Sequence, residues 1–379
     1  MSARGVRKPG VRGEAWRLGP WKHPAARAFG AAAGRWAKRV GDVFLSAVLP
    51  PGDRFRPEEI EGVSRVLLVR PNFRIGNVLL ATPLIPALRE RFPGAELDCL
   101  CGDTAAPLLE GLGVDRIFVL SRRAVLRPWE FVRLFRELRR RRYDVTVDAG
   151  GGSFSGSLYA YLVGARYRVG STRTSSRLVN VPLFLDGAGH AYDGSRAIAR
   201  GLGVSAPRRP LYRVRPTEKE EARRILGTLG LGRDTPFLGV FVGGHKRKRF
   251  PAGRWMEHLD AMGREGLPVV VFLGPEEEWL EGLVRSLGRP SIRVLRPLPL
   301  RLFAAVLAEA SLVVSPDSGP LHLAAAVEVP TIAILRDVRS LLYCPRGSDD
   351  RALFDPEPEE LLAAVRSTLP RTRASRAVS

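Results

Sequence analysis

The sequence predicts an α/β protein built from two doubly wound, Rossmann-like domains that face a central cleft. Three observations carry that expectation. Short apolar runs alternate with amphipathic segments in two series, one beginning at Val66 and one at Glu218. Most of these runs end in a polar or Gly/Pro-containing turn, the pattern of parallel strands joined by helices. Between the series, near residues 205–218, the alternation lapses into the Pro- and Arg-rich stretch Ala206–Pro216, which reads as the approach to a linker. A chain of 379 residues with 45% hydrophobic content is long and apolar enough for two such cores.

In the first series, Val66–Val69 is a continuous apolar run and reads as a buried strand. The turn Arg70–Asn77 follows, then a helix through about Arg91, stopped by Pro93-Gly94. Strands are expected at Glu96–Leu100, Ile117–Leu120 and Val145–Asp148, with helices near Ala105–Leu112 and over Trp129–Arg142. In the second series, helices are expected over Glu218–Leu229 and from Pro251, with another opened by Gly274–Glu278. Strands are expected at Phe237–Val242, Val269–Leu273, Ser311–Ser315 and Thr331–Leu335. The domains are accordingly drawn as 61–212 and 213–370. A basic extension spans 1–60, with an amphipathic helix between Pro24 and Leu49, and a basic tail covers 371–379.

The formal net charge of +21 calls for anionic partners: nucleic acid, phospholipid, lipopolysaccharide or sugar phosphates. The basic helix ending at Arg142 carries Phe131, Leu134, Phe135 and Leu138 along one face, the pattern of a packed helix with a solvated basic side. Nucleic acid is therefore disfavoured, and an anionic membrane surface is expected to meet the extension. No apolar run approaches the roughly 20 residues that cross a bilayer, and no secretory signal is visible. Cys99, Cys101 and Cys344 form neither a disulfide framework nor a zinc spacing, so no cofactor or metal is expected and a reducing cytoplasm fits.

Three turns that follow strands in the second series carry the chemistry. Ser315-Pro-Asp-Ser-Gly-Pro-Leu-His322 reads as strand, tight turn and helix start. Asp317 and Ser318 stand at the N-cap, Gly319 opens the backbone, and His322 lies about one turn into the helix. Such a start is either an anion cradle or an ordinary capped helix with a buried His. Gly243-Gly244 lead into the cationic run containing Lys248, and Glu276, Glu277 and Glu278 follow Gly274. Together the three turns suggest a nucleoside diphosphate site. In the first series, Gly76 offers the same backbone access beside Arg70 and Arg74.

The segments Arg74–Gly94, Tyr143–Asp148, Ala165–Gly170, Lys248–Pro251, Gly274–Glu278 and Asp317–Ala326, in that order, resemble the bacterial heptosyltransferases, glycosyltransferase family 9. The resemblance covers about residues 64–335. It implies a GT-B fold and inverting, metal-independent transfer of heptose from a nucleotide donor such as ADP-heptose to lipopolysaccharide core or another glycolipid. It also implies a cytoplasmic location, peripheral on the inner membrane. Asp317, Ser318, Gly319 and His322 would line the donor diphosphate, with Gly243 and Gly244 beside the phosphates. Lys248 would contact phosphate or sugar, and Glu277 or a neighbouring Glu would face the nucleoside.

Two departures qualify the resemblance. Where the family carries the Asp proposed as base, this chain has Asn77, whose amide has no useful basicity. Asp103 or Asp148 replaces it, the acceptor is deprotonated by other means, or the protein binds nucleotide sugar or glycolipid without turnover. After Leu335 the family continues Gly-Pro-Thr, whereas this chain has Arg336–Arg339.

Overall fold

The computed structural model describes residues 53–125, 127–172, 177–185, 189–244 and 248–376. The expected helix between Pro24 and Leu49, and with it most of the basic extension, lies outside the described residues.

The first domain contains strands β1 (Arg65–Arg70), β2 (Glu96–Gly102), β3 (Arg116–Leu120), β4 (Val145–Asp148), β5 (Tyr167–Ser171) and β6 (Val181–Leu183). Its helices are α1 (Ile75–Leu79), α2 (Leu84–Arg91), α3 (Ala106–Leu109), α4 (Pro128–Arg140), α5 (Phe154–Val163) and α6 (Gly194–Gly201). The strands pair in parallel in the order β3-β2-β1-β4-β5-β6.

The second domain opens with helix α7 (Pro216–Thr228) and continues with strand β7 (Leu238–Phe241), helix α8 (Ala252–Arg264) and strand β8 (Val269–Phe272). Then follow α9 (Glu281–Ser286), β9 (Ile292–Leu295), α10 (Leu300–Glu309), β10 (Leu312–Pro316) and α11 (Gly319–Ala326). The last elements are β11 (Thr331–Leu335), β12 (Arg351–Phe354) and α12 (Pro358–Arg376). This parallel sheet runs β12-β11-β10-β7-β8-β9. Both sheets thus reverse their winding between a domain's first and fourth strands, and the crevice at that reversal is where doubly wound folds bind ligands.

Three expectations are corrected. The helix expected through Arg91 is two helices, because Pro83 and Pro86 lack the N–H groups a continuous helix needs. The Thr82 hydroxyl in the break donates to Leu79 O at 2.7 Å and accepts Leu211 N at 2.7 Å, pinning the linker. Residues 53–60 pack on the first sheet rather than ending the extension: Ile60 is buried, and the Phe55 ring stands 5.0 Å from that of Tyr167. The chain assigned to a tail from residue 371 continues α12 as far as Arg376.

Side chains alternate across the first sheet, so Val66 and Leu68 enter one core while Leu67 and Val69 enter another. A further core crosses between the domains. Leu79 and Leu108 from the first join Leu226, Phe272 and Leu323 from the second. Across the same boundary Arg301 Nη1 donates to Pro107 O at 2.7 Å.

Candidate functional site

The strand β10 is fully buried to Pro316, and the chain then turns through Asp317 and Ser318 into α11. Ser318 occupies the N-cap position with extended backbone, φ −148° and ψ 170°. Neither candidate caps the helix. The Ser318 hydroxyl lies 2.8 Å from Ser315 Oγ, and the Asp317 carboxylate is ion-paired with Lys248. The first-turn N–H groups are left without a side-chain cap and face the crevice end of the sheet. Lys248 brings its cation to that point, 5.2 Å from the ring centroid of Tyr343.

His322 is buried on the first turns of α11, with Nδ1 2.9 Å from Tyr192 Oη. Burial pushes its pKa down to about 4; Asp317 opposes this, while Lys248 and His190 add to it. The ring is therefore neutral at pH 7. Gly76 of the first domain faces it directly: a Cβ there would overlap His322 Cδ2 and lie 3.1 Å from Nε2. The absent side chain at Gly76 thus admits the imidazole, where the sequence suggested room for a ligand.

Tyr192 and His190 had no role in the sequence reading. His190 Nε2 lies 3.0 Å from Leu341 O, and Tyr192 N donates to His190 Nδ1 at 3.3 Å. A carbonyl only accepts, so the His190 proton sits on Nε2, and Nδ1 is free to accept. The only sequence signal was the turn composition around Gly187–Gly194, which says nothing of a partner more than a hundred residues away.

The glycines after β7 also make room for protein atoms. A Cβ on Gly243 would lie 2.8 Å from Glu277 Cδ, and one on Gly274 would lie 2.5 Å from Glu277 Oε2. The Glu277 carboxylate is wedged between two bare backbones and accepts from Arg249 Nη2 at 2.8 Å. Burial raises its pKa and Arg249 opposes the rise. Gly244 is pressed against Arg249, with an added Cβ 3.0 Å from its Cα.

Beside this cluster a mostly apolar slot of about 210 Å³ opens at the carboxyl ends of β8 and β9. Its walls include Ile75, Pro275, Leu298 and Phe303, and Gly319 and Leu323 of α11 close it on the phosphate-cradle side. Sequence reasoning missed the Leu295–Phe303 wall because β9 is only partly buried and offers no continuous apolar run.

On the first domain, Arg70 is half-buried at the end of β1 and its Nε donates to Asn77 O at 2.9 Å. Asp148, at the end of neighbouring β4, is sealed. Its Oδ1 accepts Gly150 N at 2.7 Å, its Oδ2 accepts Ser157 Oγ at 2.6 Å, and burial raises its pKa. Burial also pushes the Asp103 carboxyl up, but the Arg122 N–H and the Thr104 donors outweigh it and hold the pKa low. Neither carboxylate offers an accessible, strongly basic oxygen. Among the described residues, no group of three or more His, Cys, Asp or Glu side chains stands together to hold a metal ion.

Comparison with known proteins places this geometry. The sequence pattern described as Glycosyltransferase family 9 (heptosyltransferase) matches residues 131–358. Lipopolysaccharide heptosyltransferase 1 of Pseudomonas aeruginosa is 29% identical over 290 residues, 71% of this chain and 78% of the relative. The Escherichia coli enzyme of that name is 26% identical over 286 residues, 71% of this chain and 87% of the relative. The solved structure of a family 9 glycosyl transferase from Veillonella parvula aligns at TM-score 0.72 and 20% identity, covering 83% of this chain and 99% of that one. The E. coli heptosyltransferase WaaC with ADP-2-deoxy-2-fluoro heptose aligns at TM-score 0.62 and 23% identity, covering 81% and 99%. Two doubly wound parallel sheets with a crevice at their reversals make the fold GT-B, as in that heptosyltransferase structure. The chain belongs to glycosyltransferase family 9, the heptosyltransferase family.

Proposed function

We propose that this glycosyltransferase moves a heptose-like sugar, with inversion, from a nucleoside diphosphate donor such as ADP-heptose to lipopolysaccharide core or a related glycolipid. The observation that carries this reading is the uncapped start of α11, with Lys248, Asp317 and His322 around it and an apolar slot beside it. The slot matches a flat nucleobase with apolar walls. Glu277, buried three residues past Gly274 of the slot's lining, would accept from ribose hydroxyls in exchange for part of its pairing with Arg249. The diphosphate then rests on the α11 N–H groups and Lys248, which stabilise charge as the sugar leaves. If Tyr192 donates to His322 Nδ1, the imidazole proton sits on Nε2 and serves as one more neutral donor in the crevice. Metal-independent transfer is consistent with these donors.

Asn77 holds the place of the base on the acceptor side. Its amide positions a hydroxyl without removing the proton, and general-base assistance is typically worth about 10²–10⁴-fold in rate. The wild type is therefore a slow transferase whose acceptor proton leaves late, to the departing diphosphate or water. The same residue favours a second reading, a protein that binds nucleotide sugar or glycolipid without turnover.

The test is incubation with ADP-heptose and heptose-deficient lipopolysaccharide, following release of nucleotide. Turnover in the wild type, raised about 100-fold by Asn77→Asp, supports slow transfer. Nucleotide binding with no turnover selects the second reading, and absence of both rejects the donor site.

A further inference from the structure

The outer face of α4 is not used by any part of the crevice. Trp129 is 65% exposed and Val132 43% exposed, although the opposite face of the same helix buries Phe135 and Leu138 in the first domain's core. At about 100° per residue, Trp129, Arg133, Arg136 and Arg140 fall on one stripe along the solvent side. Those arginines are exposed, and none of their guanidinium groups makes a hydrogen bond, ion pair or ring contact among the described residues. Arg123, in the turn before the helix, likewise has no partner for its guanidinium there. The helix's acids, Glu130 and Glu137, lie to one side of the stripe, and Glu130 is already paired with Arg127 at 3.1 Å.

A large exposed indole in line with unpaired arginines is an uncommon surface for a monomeric domain. Two other exposed apolar groups, Trp279 with Leu283 and Val338 with Leu341–Tyr343, lack this charge: neighbouring Arg285 is neutralised by Glu281 and Arg339 by Asp337. The α4 stripe is complementary to a plane of negative charge with an apolar layer just beneath it. Tryptophan settles at the headgroup level of a bilayer, and arginine carries charge to the lipid phosphates while its stem lies along apolar surface.

We propose that α4 docks the first domain onto an anionic lipid surface through Trp129, Val132, Arg133, Arg136 and Arg140. The helix start lies at the crevice end of the sheet, because the turn Arg122–Val125 follows the carboxyl end of β3. Arg122 in that turn stacks 5.2 Å over Phe73 and donates to Phe73 O at 3.1 Å. Docking therefore brings the Arg70–Asn77 turn to the membrane. That orientation rests on the acceptor role given to the turn; the docking face itself does not.

The experiment is co-sedimentation of the full chain with vesicles of phosphatidylcholine alone or with 30 mol% phosphatidylglycerol, at about 150 mM salt. Each arginine at such a surface is worth about fivefold in partitioning, so Arg133→Glu with Arg136→Glu lowers binding at least 25-fold. Trp129→Phe removes a blue-shifted component from the vesicle-induced fluorescence change. Melting temperature and ADP binding stay at wild-type values in both variants, which shows that the fold is intact. Equal binding to both vesicle types, unchanged binding by the double variant, or no wild-type binding would each overturn the proposal. So would duplex DNA binding that depends on Arg133 and Arg136 while the vesicles are ignored.

Discussion

Tyr192 Oη lies 2.9 Å from Nδ1 of His322, joining a short turn of the first domain to the first turns of α11 in the second. The contact is buried on both sides, and Gly76 holds the ring from another direction. The crevice histidine is thus oriented by the domain that does not carry it. Its tautomer, and the aim of its second nitrogen, depend on how the two domains meet.

Removing the phenol hydroxyl tests that dependence. Tyr192→Phe loses one buried hydrogen bond, worth about 1 kcal/mol. If His322 meets the diphosphate, ADP affinity falls about fivefold in titration calorimetry. In ¹⁵N-resolved spectra His322 changes from a single tautomer to a mixture. An unchanged tautomer would show that Tyr192 does not orient the ring.

Gly76→Ala places a methyl group on the imidazole, an overlap that only displacement of α1 or α11 relieves. Overpacking of this kind costs about 1–3 kcal/mol, and it acts where the domains touch. Transfer activity should fall at least tenfold. Gly253→Ala, on α8 with no atom within 4 Å of the added carbon, is the control and should be neutral or slightly stabilising.

Filling the apolar slot separates nucleoside binding from folding. Leu298→Trp adds a ring to a space of about 210 Å³ whose lining includes Gly319 and Leu323. ADP and ADP-heptose should both bind at least tenfold more weakly in a thermal-shift titration, because a ligand raises the melting temperature only through the state it binds. The ligand-free melting temperature should move by a few degrees at most. Unaltered nucleotide affinity would remove the slot from the donor site.

Asp148→Asn tests the sealed carboxylate. An amide cannot accept from both Gly150 N and Ser157 Oγ without turning its own N–H groups toward one of them. Stability should drop by about 1–3 kcal/mol in urea titration. Turnover per folded molecule should be retained within threefold. A loss of catalysis with stability intact would make Asp148 the missing base.

A second buried histidine governs acid stability. Neither ring nitrogen of His258 has a partner among the described residues; the ring packs against Trp255 and Phe250, and burial pushes its pKa down to about 4. The folded state binds the proton more weakly than the unfolded chain. The stability this group supports is therefore whole above about pH 6.5 and drains as pH falls toward 4, at about 1.4 kcal/mol per unit. His258→Phe fills an apolar site of similar shape and removes that slope. Urea midpoints at pH 7 and pH 5 should differ less in the variant than in the wild type.

Much of the scaffold was legible locally. Val145–Asp148 and Thr331–Leu335 appear as expected because an apolar run bounded by turns specifies a buried strand whatever lies beside it. Strand β9 and helix α10 were not legible, since a half-buried strand and a helix apolar around most of its circumference lack a clean period. The break at Pro83 is the reverse case, since apolar periodicity runs on past residues that cannot continue a helix.

At the site, local patterning is enough to put the candidate residues at the crevice end of the sheets: Asn77, Gly243, Gly244, Lys248, Glu277, Asp317, Ser318, Gly319 and His322 all follow strands, as a doubly wound fold requires. What each of them meets depends on the packing of distant segments. Asp317 turns to Lys248 instead of capping α11, Gly76 and Gly243 admit protein side chains, and Asp148 is closed off by its own turn. The physical reason is one of range. Period and turn chemistry act over a few residues, whereas a buried polar group takes its partner from whatever the fold brings within about 3 Å, as Tyr192 does with His322 across 130 positions of chain.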